Sequence, residues 1–545
     1  MKDNIKKSLK RLLKRKVKIT LGIIIAFMIT GVVSYSNDDV ISESVTVKIN
    51  SNGIYNVGVI ESLENFEIIV GSNNGIYNYR GGQIISLENF GIIAGNNGNG
   101  ICNSNTGRIE SLANFGIIAG STEAIKNEGT IINQENYGLL INGAGTDNVT
   151  VNAGTGGEND IALDREPEDK RFIINTVEKN EDYEKLKNEQ AINIEKLNSK
   201  LNGNTNYKIS DNSFKNLILN GYGTTLFVDG DLSLDNSIIN GGVDKTSATI
   251  KGSNNIDNLT LTNGTIINGN IDLDKGNDNL TLDDKTQING DLLGGDGFDT
   301  LTFNSNGAST FSEDSEEKNI NIFHSISEFE NINIGTKVTL FEDTEVTEAD
   351  NITIQKDGNL ILRIDSTNGN SHALSGNKGT ISSEGGKLLL ALNGIGEGET
   401  INFGDTSLDE TMKGNEEGLK EITIDTISLL HNIKKINANS VKVTTVSDIP
   451  YVNNINYNQL NKIYQSMRIT DQVKEFNITD DKTLTEFTKY LNDIYAGIPY
   501  SYSTEISRKT LTMFDEIAIS KDLNPDLKSW AIYGGLTHID GGNKN

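Results

Sequence analysis

The sequence predicts an all-β chain whose larger part is a parallel β-helix with one coil per repeat. Two observations carry this. A pentapeptide recurs as Ser62-Leu-Glu-Asn-Phe66, Ser86-Leu-Glu-Asn-Phe90 and Ser111-Leu-Ala-Asn-Phe115, and in divergent form as Asn133-Gln-Glu-Asn-Tyr137, with aromatic positions 24, 25 and 22 residues apart. A self-similar period of roughly 20 to 30 residues marks a solenoid, in which each repeat buries its apolar edge only against its neighbours. Each copy is also followed by a short apolar run, Ile68-Ile69-Val70, Ile92-Ile93-Ala94, Ile117-Ile118-Ala119 and Leu139-Leu140-Ile141, and then by turns rich in Gly and Asn. Such runs form strands and tight turns, not helices.

Composition agrees. The 545 residues include 55 Gly, 4 Pro and 1 Cys, with a formal net charge of -27. That acidity argues against nucleic acid or an anionic membrane surface as partner. Cys102 is the single cysteine. It rules out an intrachain disulfide, so stability must come from coil stacking.

Residues 1–18 carry nine Lys or Arg against one Asp, ahead of an apolar run from Ile19 to Val33 and the small residues Ser34 and Ser36. This order is that of a secretory signal over 1–36. The apolar run is short for a bilayer core that needs about 20 residues.

The regular repeats occupy 37–160. Within one, Ile109 and Leu112 are expected inward, then Phe115, then Ile117 with Ile118 or Ala119. Asn65, Asn89, Asn114 and Asn136 precede the aromatic in each copy. Such a column suits a left-handed turn and a bond to the neighbouring coil, and is read as scaffold more than binding site.

Residues 161–215 are charged and are expected to leave the solenoid as a helical excursion. Glu181 to Leu201 forms an amphipathic pattern through Tyr183, Leu186, Ile194, Leu197 and Leu201. A solvated spacer is favoured there over a binding surface.

Looser coils resume over 216–445. Ile267-Asn-Gly-Asn-Ile-Asp-Leu273 returns 21 residues later as Ile288-Asn-Gly-Asp-Leu-Leu293. Leu226 to Leu234, Val338 to Phe341 and Lys387 to Leu392 continue the strand texture. One segment, Gly294-Gly-Asp-Gly-Phe-Asp-Thr-Leu301, matches a calcium-binding β-roll nonapeptide. Such cages take oxygens from tandem copies, and the nearest relative, Gly276-Asn-Asp-Asn-Leu280, is about 20 residues upstream. A turn between coils is the favoured reading, and no metal or cofactor is assigned.

Helices are predicted again in a linker over 446–528, at Asn458 to Arg468, Leu484 to Tyr495 and Ser503 to Ile519. The last segment, 529–545, holds Trp530, Ile532, Gly534, Leu536 and His538 in alternation up to Gly541, as in a membrane β-barrel strand. One strand cannot span a bilayer, because its edges would be unpaired.

Signal, Gly/Asn-rich coils, helical linker and barrel-like strand together resemble an autotransporter of the type V secretion pathway. The long basic signal and Asn/Ile-rich coils look like the large autotransporters of anaerobic fusobacteria. The likeness is most specific at Phe329-Glu-Asn-Ile-Asn-Ile334 through Leu340-Phe341, and at Trp530 to Gly541. The resemblance implies a right-handed parallel β-helix passenger outside the outer membrane, and a linker helix threading a barrel of about twelve strands. Roughly 250 residues of such a barrel are missing, so a fragment, a gene-call break or a barrel on another chain is expected.

Catalysis is not expected. His324, His372, His431 and His538 stand apart, and no Ser sits in a nucleophile elbow. Ser371 beside His372 is no triad. The subtilisin-like domain carried by some autotransporters has no counterpart here. A carboxylate pair on neighbouring coils, as in polysaccharide-cleaving β-helices, stays open as an alternative, but 75 acidic residues offer no way to choose one. No catalytic, cofactor-binding or metal-ligating residue is therefore assigned. The favoured expectation is a cell-surface adhesin or display passenger contacting a host-cell, matrix or bacterial ligand. A structural spacer comes second and an enzyme third.

Overall fold

The computed structural model describes residues 52–146, 148–160, 170–177, 191–305, 319–342, 344–366, 369–408, 422–451 and 457–496. The signal over 1–36, the helix at Ser503 to Ile519 and the strand within 529–545 lie outside them. The described residues form a right-handed parallel β-solenoid of about 13 turns followed by short helices. Its turns fall into two stacks.

Three short strands make each coil of the first stack. Ile76–Asn78, Gln83–Asn89 and Ile92–Gly95 of one coil are followed by Ile101–Asn103, Arg108–Asn114 and Ile117–Gly120 of the next. Neighbouring coils pair parallel with Ile84 against Ile109, Leu87 against Leu112 and Asn89 against Asn114. The pairing offset equals the sequence repeat, so like residues stack on like. Ile109, Leu112, Ile117 and Ile118 are all buried in one core, as the repeat predicts. Each such side chain contributes about 1.5–3 kcal/mol relative to exposure. In the fourth coil Gln134 pairs with Leu112 and is exposed. A polar residue at the inward position closes the stack, as terminal repeats do.

The chain then turns back. Thr150–Ala153 pairs antiparallel with Leu139–Asn142, and Gly157–Asp160 pairs antiparallel with Lys170–Asn175. Lys170–Asn175 in turn pairs parallel with Leu217–Asn220. Although 161–215 is expected to leave the solenoid, this strand is one of its rungs. From there a second stack runs through nine parallel strands in one sheet, from Ser213–Lys215 to Ser407–Leu408.

Both ends of the second core are covered. Of the predicted helix Glu181 to Leu201, the described part is α1 (Ile194–Leu201). Asn193 caps its start by accepting from the Lys196 N–H, and Asn202 ends it in the left-handed conformation. Leu197 and Leu201 are buried in the second core with Phe214 and Leu217. The apolar stripe read from the sequence thus shields coil edges that have no further coil to stack on. At the far end Thr400–Asn402, His431–Asn437 and Ser440–Thr445 form an antiparallel sheet. Beyond it α2 (Tyr457–Ile469) and α3 (Asp481–Ala496) bury Leu460, Tyr464, Phe487 and Leu491 against Leu430 and Ile449. These helices match the predicted Asn458 to Arg468 and Leu484 to Tyr495.

Candidate functional site

The repeated aromatic is the residue the sequence places wrongly. Phe115 does not point into its own coil. Phe66, Phe90, Phe115 and Tyr137 form an outward ladder, with ring centroids 4.8, 4.9 and 5.1 Å apart and planes within 7° of parallel. The ladder packs on Ile173, Ile218, Ile238 and Ile266 of the second stack. Two adjacent apolar residues per strand, such as Ile238-Ile239 and Ile266-Ile267, bury both faces of that strand. One faces its own core and the other faces the Phe ladder.

Asparagine columns flank this seam on both sides. In the first stack the Asn65 side-chain amide donates to the Asn89 side-chain oxygen, Asn89 to Asn114 and Asn114 to Asn136, each at 2.8 Å. A parallel column, Asn56, Asn78, Asn103 and Asn127, repeats the pattern at 2.8 Å per step. The expected left-handed backbone is absent from Asn65, Asn89, Asn114 and Asn136. These residues sit in or at the ends of extended strands, and their amides donate both along the ladder and to main-chain carbonyls, as Asn89 does to Gly91 and to Ile117 of the next coil. In the second stack Asn220 donates to Asn175, Asn240 to Asn220, Asn268 to Asn240 and Asn289 to Asn268, at 2.7–3.0 Å.

A primary amide has two donors. In the second stack one continues the column and the other crosses the seam. Asn175 reaches the Tyr137 carbonyl, Asn220 that of Phe115, Asn240 that of Phe90 (each 2.8 Å), and Asn268 that of Phe66 (2.9 Å). The partners run in opposite order along the two stacks, which therefore lie side by side and antiparallel. Where the Phe ladder ends, Gln287 replaces the outward Ile266, and its amide donates to the Glu67 carboxylate. Beside the ladder a cavity of about 20 Å³ remains between Val70, Ala94, Ala119 and Val243, room for about one water molecule.

The calcium-like motif does not converge. Asp296 is exposed and faces Lys275 at 3.6 Å, whereas Asp299 is buried and accepts from the Asp278 N–H at 2.7 Å. The two carboxylates of the motif thus face different surroundings. Among the described residues no group of three or more His, Cys, Asp or Glu is placed to hold a metal.

Two of the histidines, His372 and His431, make local bonds. His372 Nδ1 accepts from the Leu374 N–H and its Nε2 faces the Asn402 carbonyl, both at 3.2 Å. Burial lowers its pKa to about 4, so it is neutral at pH 7. His431 Nδ1 lies 2.8 Å from Ser428 Oγ. No motif in the sequence marks that Ser–His pair, three residues apart. Both members are buried, and Ser428 Oγ also accepts from the Leu430 N–H, so the pair ties the turn into the antiparallel end sheet. His324 is buried, and His538 lies outside the described residues.

A second aromatic group stays on the outer face of the first stack. Tyr55, Tyr77 and Tyr79 hold ring centroids 5.4–5.6 Å apart, and the Arg80 guanidinium lies 5.9 Å from the Tyr79 ring centre. All three rings are half-buried. Among the described residues none of their hydroxyls has a hydrogen-bond partner. Burial and the neighbouring phenols raise the pKa of Tyr55 and Tyr77. Cys102, stacked on Tyr77 in the next coil, has its thiol pKa pushed up by burial, which makes it a poor nucleophile. No family model matches the chain, and neither a curated protein nor a solved structure matches it.

Proposed function

We propose that this chain is a non-catalytic, adhesin-like display protein of the cell surface, in the manner of an autotransporter passenger. It is exported by its N-terminal signal, held at the outer membrane through a barrel, and contacts a host-cell, matrix or bacterial ligand. The Tyr55, Tyr77 and Tyr79 group is the observation that carries the reading. Aromatics are enriched where surfaces meet partners. The Phe ladder is covered by the second stack, while these rings and their hydroxyls keep an outer face. A chain with a formal net charge of -27 disfavours nucleic acid and suits a solvated extracellular position.

The test is binding of the purified chain to host cells, matrix proteins and bacterial cells. Saturable binding that drops at least about tenfold in the Tyr77→Ala/Tyr79→Ala chain is expected, since aromatic hot spots cost about 2 kcal/mol or more on truncation. Binding to none of these surfaces would favour a structural spacer. Release of reducing ends from a polysaccharide panel would favour an enzyme.

A further inference from the structure

Four acids stack through the turns of the second stack. The Asp257 N–H donates to Asp278 Oδ1 at 2.8 Å, the Asp278 N–H to Asp299 Oδ1 at 2.7 Å, and the Asp299 N–H to Glu330 Oε2 at 2.6 Å. Asp257, Asp278 and Asp299 are fully buried. At the top of the column the Asp257 carboxylate is well served. Gly230 N–H and Ser253 N–H donate to it at 2.6 Å each, and Ser253 Oγ at 3.3 Å.

One and two coils down, the second donor is lost. The turn position of Ser253 is taken by Asp274 and then by Gly295, whose backbones are left-handed, with φ of 67° and 105°. The Asp274 N–H is turned to Asp272 Oδ1 at 3.0 Å. Asp278 Oδ2 and Asp299 Oδ2 are left buried with no hydrogen-bond partner. Nearby cations are engaged elsewhere: Lys251 with Asp272 and Asp274, and Lys275 with Asp296. Among the described residues, the charged groups that bear on Asp278 and Asp299 are acidic: Asp257, Asp274 and Asp299 on the first, Glu330 and Glu328 on the second. A buried carboxylate oxygen with no donor and acidic neighbours is a poor place for negative charge.

We propose that the Asp257–Asp278–Asp299–Glu330 column is a proton-loaded seam, which tightens these coils in mild acid and loosens them as the medium becomes neutral. Burial, offset in part by the backbone bonds, raises both Asp278 and Asp299 to about 6 from 3.8. The folded chain therefore holds these protons more tightly than the unfolded chain. The stabilisation is complete below the unfolded value of about 3.8 and is lost as pH rises through about 6.

Amide hydrogen exchange on the full chain tests this, with protection corrected for intrinsic rates. Between about pH 5 and about pH 7.5, protection across residues 252–304 should fall by roughly tenfold for each carboxyl that ionises. Protection at Ile92–Gly95, a strand of the first stack that pairs with no residue of the column, should not change. Asp278→Asn and Asp299→Asn, made singly so that one misfolding variant leaves the other, should each remove part of the dependence. Unchanged protection of 252–304 in the unmodified chain would overturn the proposal. So would an equal pH response in a folded Asn variant.

Discussion

The Asn240 side-chain amide donates to the Phe90 main-chain carbonyl at 2.8 Å, across 150 positions of sequence. The same amide nitrogen reaches Asn220 within its own stack, so one side chain serves the column and the seam together. Asn240→Ala removes both bonds and leaves the Phe90 carbonyl buried without that donor. A loss of about 2 kcal/mol is expected, read as reduced exchange protection at both 83–95 and 238–240. Protection lost on only one side would mean that the bond does not join the stacks.

Phe90→Ala removes the one fully buried ring of the outward ladder. A loss of about 3–5 kcal/mol is expected, and it should fall on the seam. Limited proteolysis should cut faster between 142 and 170, where the chain passes from one stack to the other. The rungs at Lys387–Asn393 should keep their protection.

Much of this architecture is legible in the residues. Ile109, Leu112 and Ile117 face inward as read, because the repeat offset sets the register and one coil can bury its apolar edge only on the next. The Asn column is scaffold, as read. What the sequence withholds is the partner of each face. Phe115 is plainly apolar and periodic, but periodicity tells that a residue is buried and not against what. Its partners, Ile218 and Ile238, lie about 100 residues downstream, and the clue is the doubled Ile-Ile of the second stack. Leu197 and Leu201 read correctly as an apolar stripe, but their docking over a coil end depends on tertiary contact alone.

Leu197→Ala with Leu201→Ala tests that cap. Each truncation is expected to cost about 2–5 kcal/mol. A solenoid loses stability locally, through nearest-neighbour contacts. Fraying should therefore appear at 213–234 and leave Lys387–Asn393 unchanged. Uniform loss along the chain would contradict a capping role.

His372 gives a second, opposite pH response. Its pKa is lowered from 6.5 to about 4 because burial disfavours the charged ring. Stability from this site is complete above about 6.5 and is lost as pH falls through about 4. Exchange protection around Thr400–Asn402 should drop over that interval, and His372→Gln should flatten the response.

The most direct test of the antiparallel pairing compares two distances by electron spin resonance, in a Cys102→Ala chain. Glu61 and Ile132 lie in one column of the first stack, both exposed, and Lys285 is exposed in the second. Spin labels are placed at Lys285 with Glu61 in one sample, and at Lys285 with Ile132 in another. Side-by-side antiparallel stacks bring Lys285 level with the coil of Phe66, so the Glu61 pair is predicted to give the shorter distance. A single continuous stack would put Glu61 about eight coil spacings from Lys285, or about 40 Å, with Ile132 nearer. A longer distance for Glu61 than for Ile132 would contradict the paired architecture.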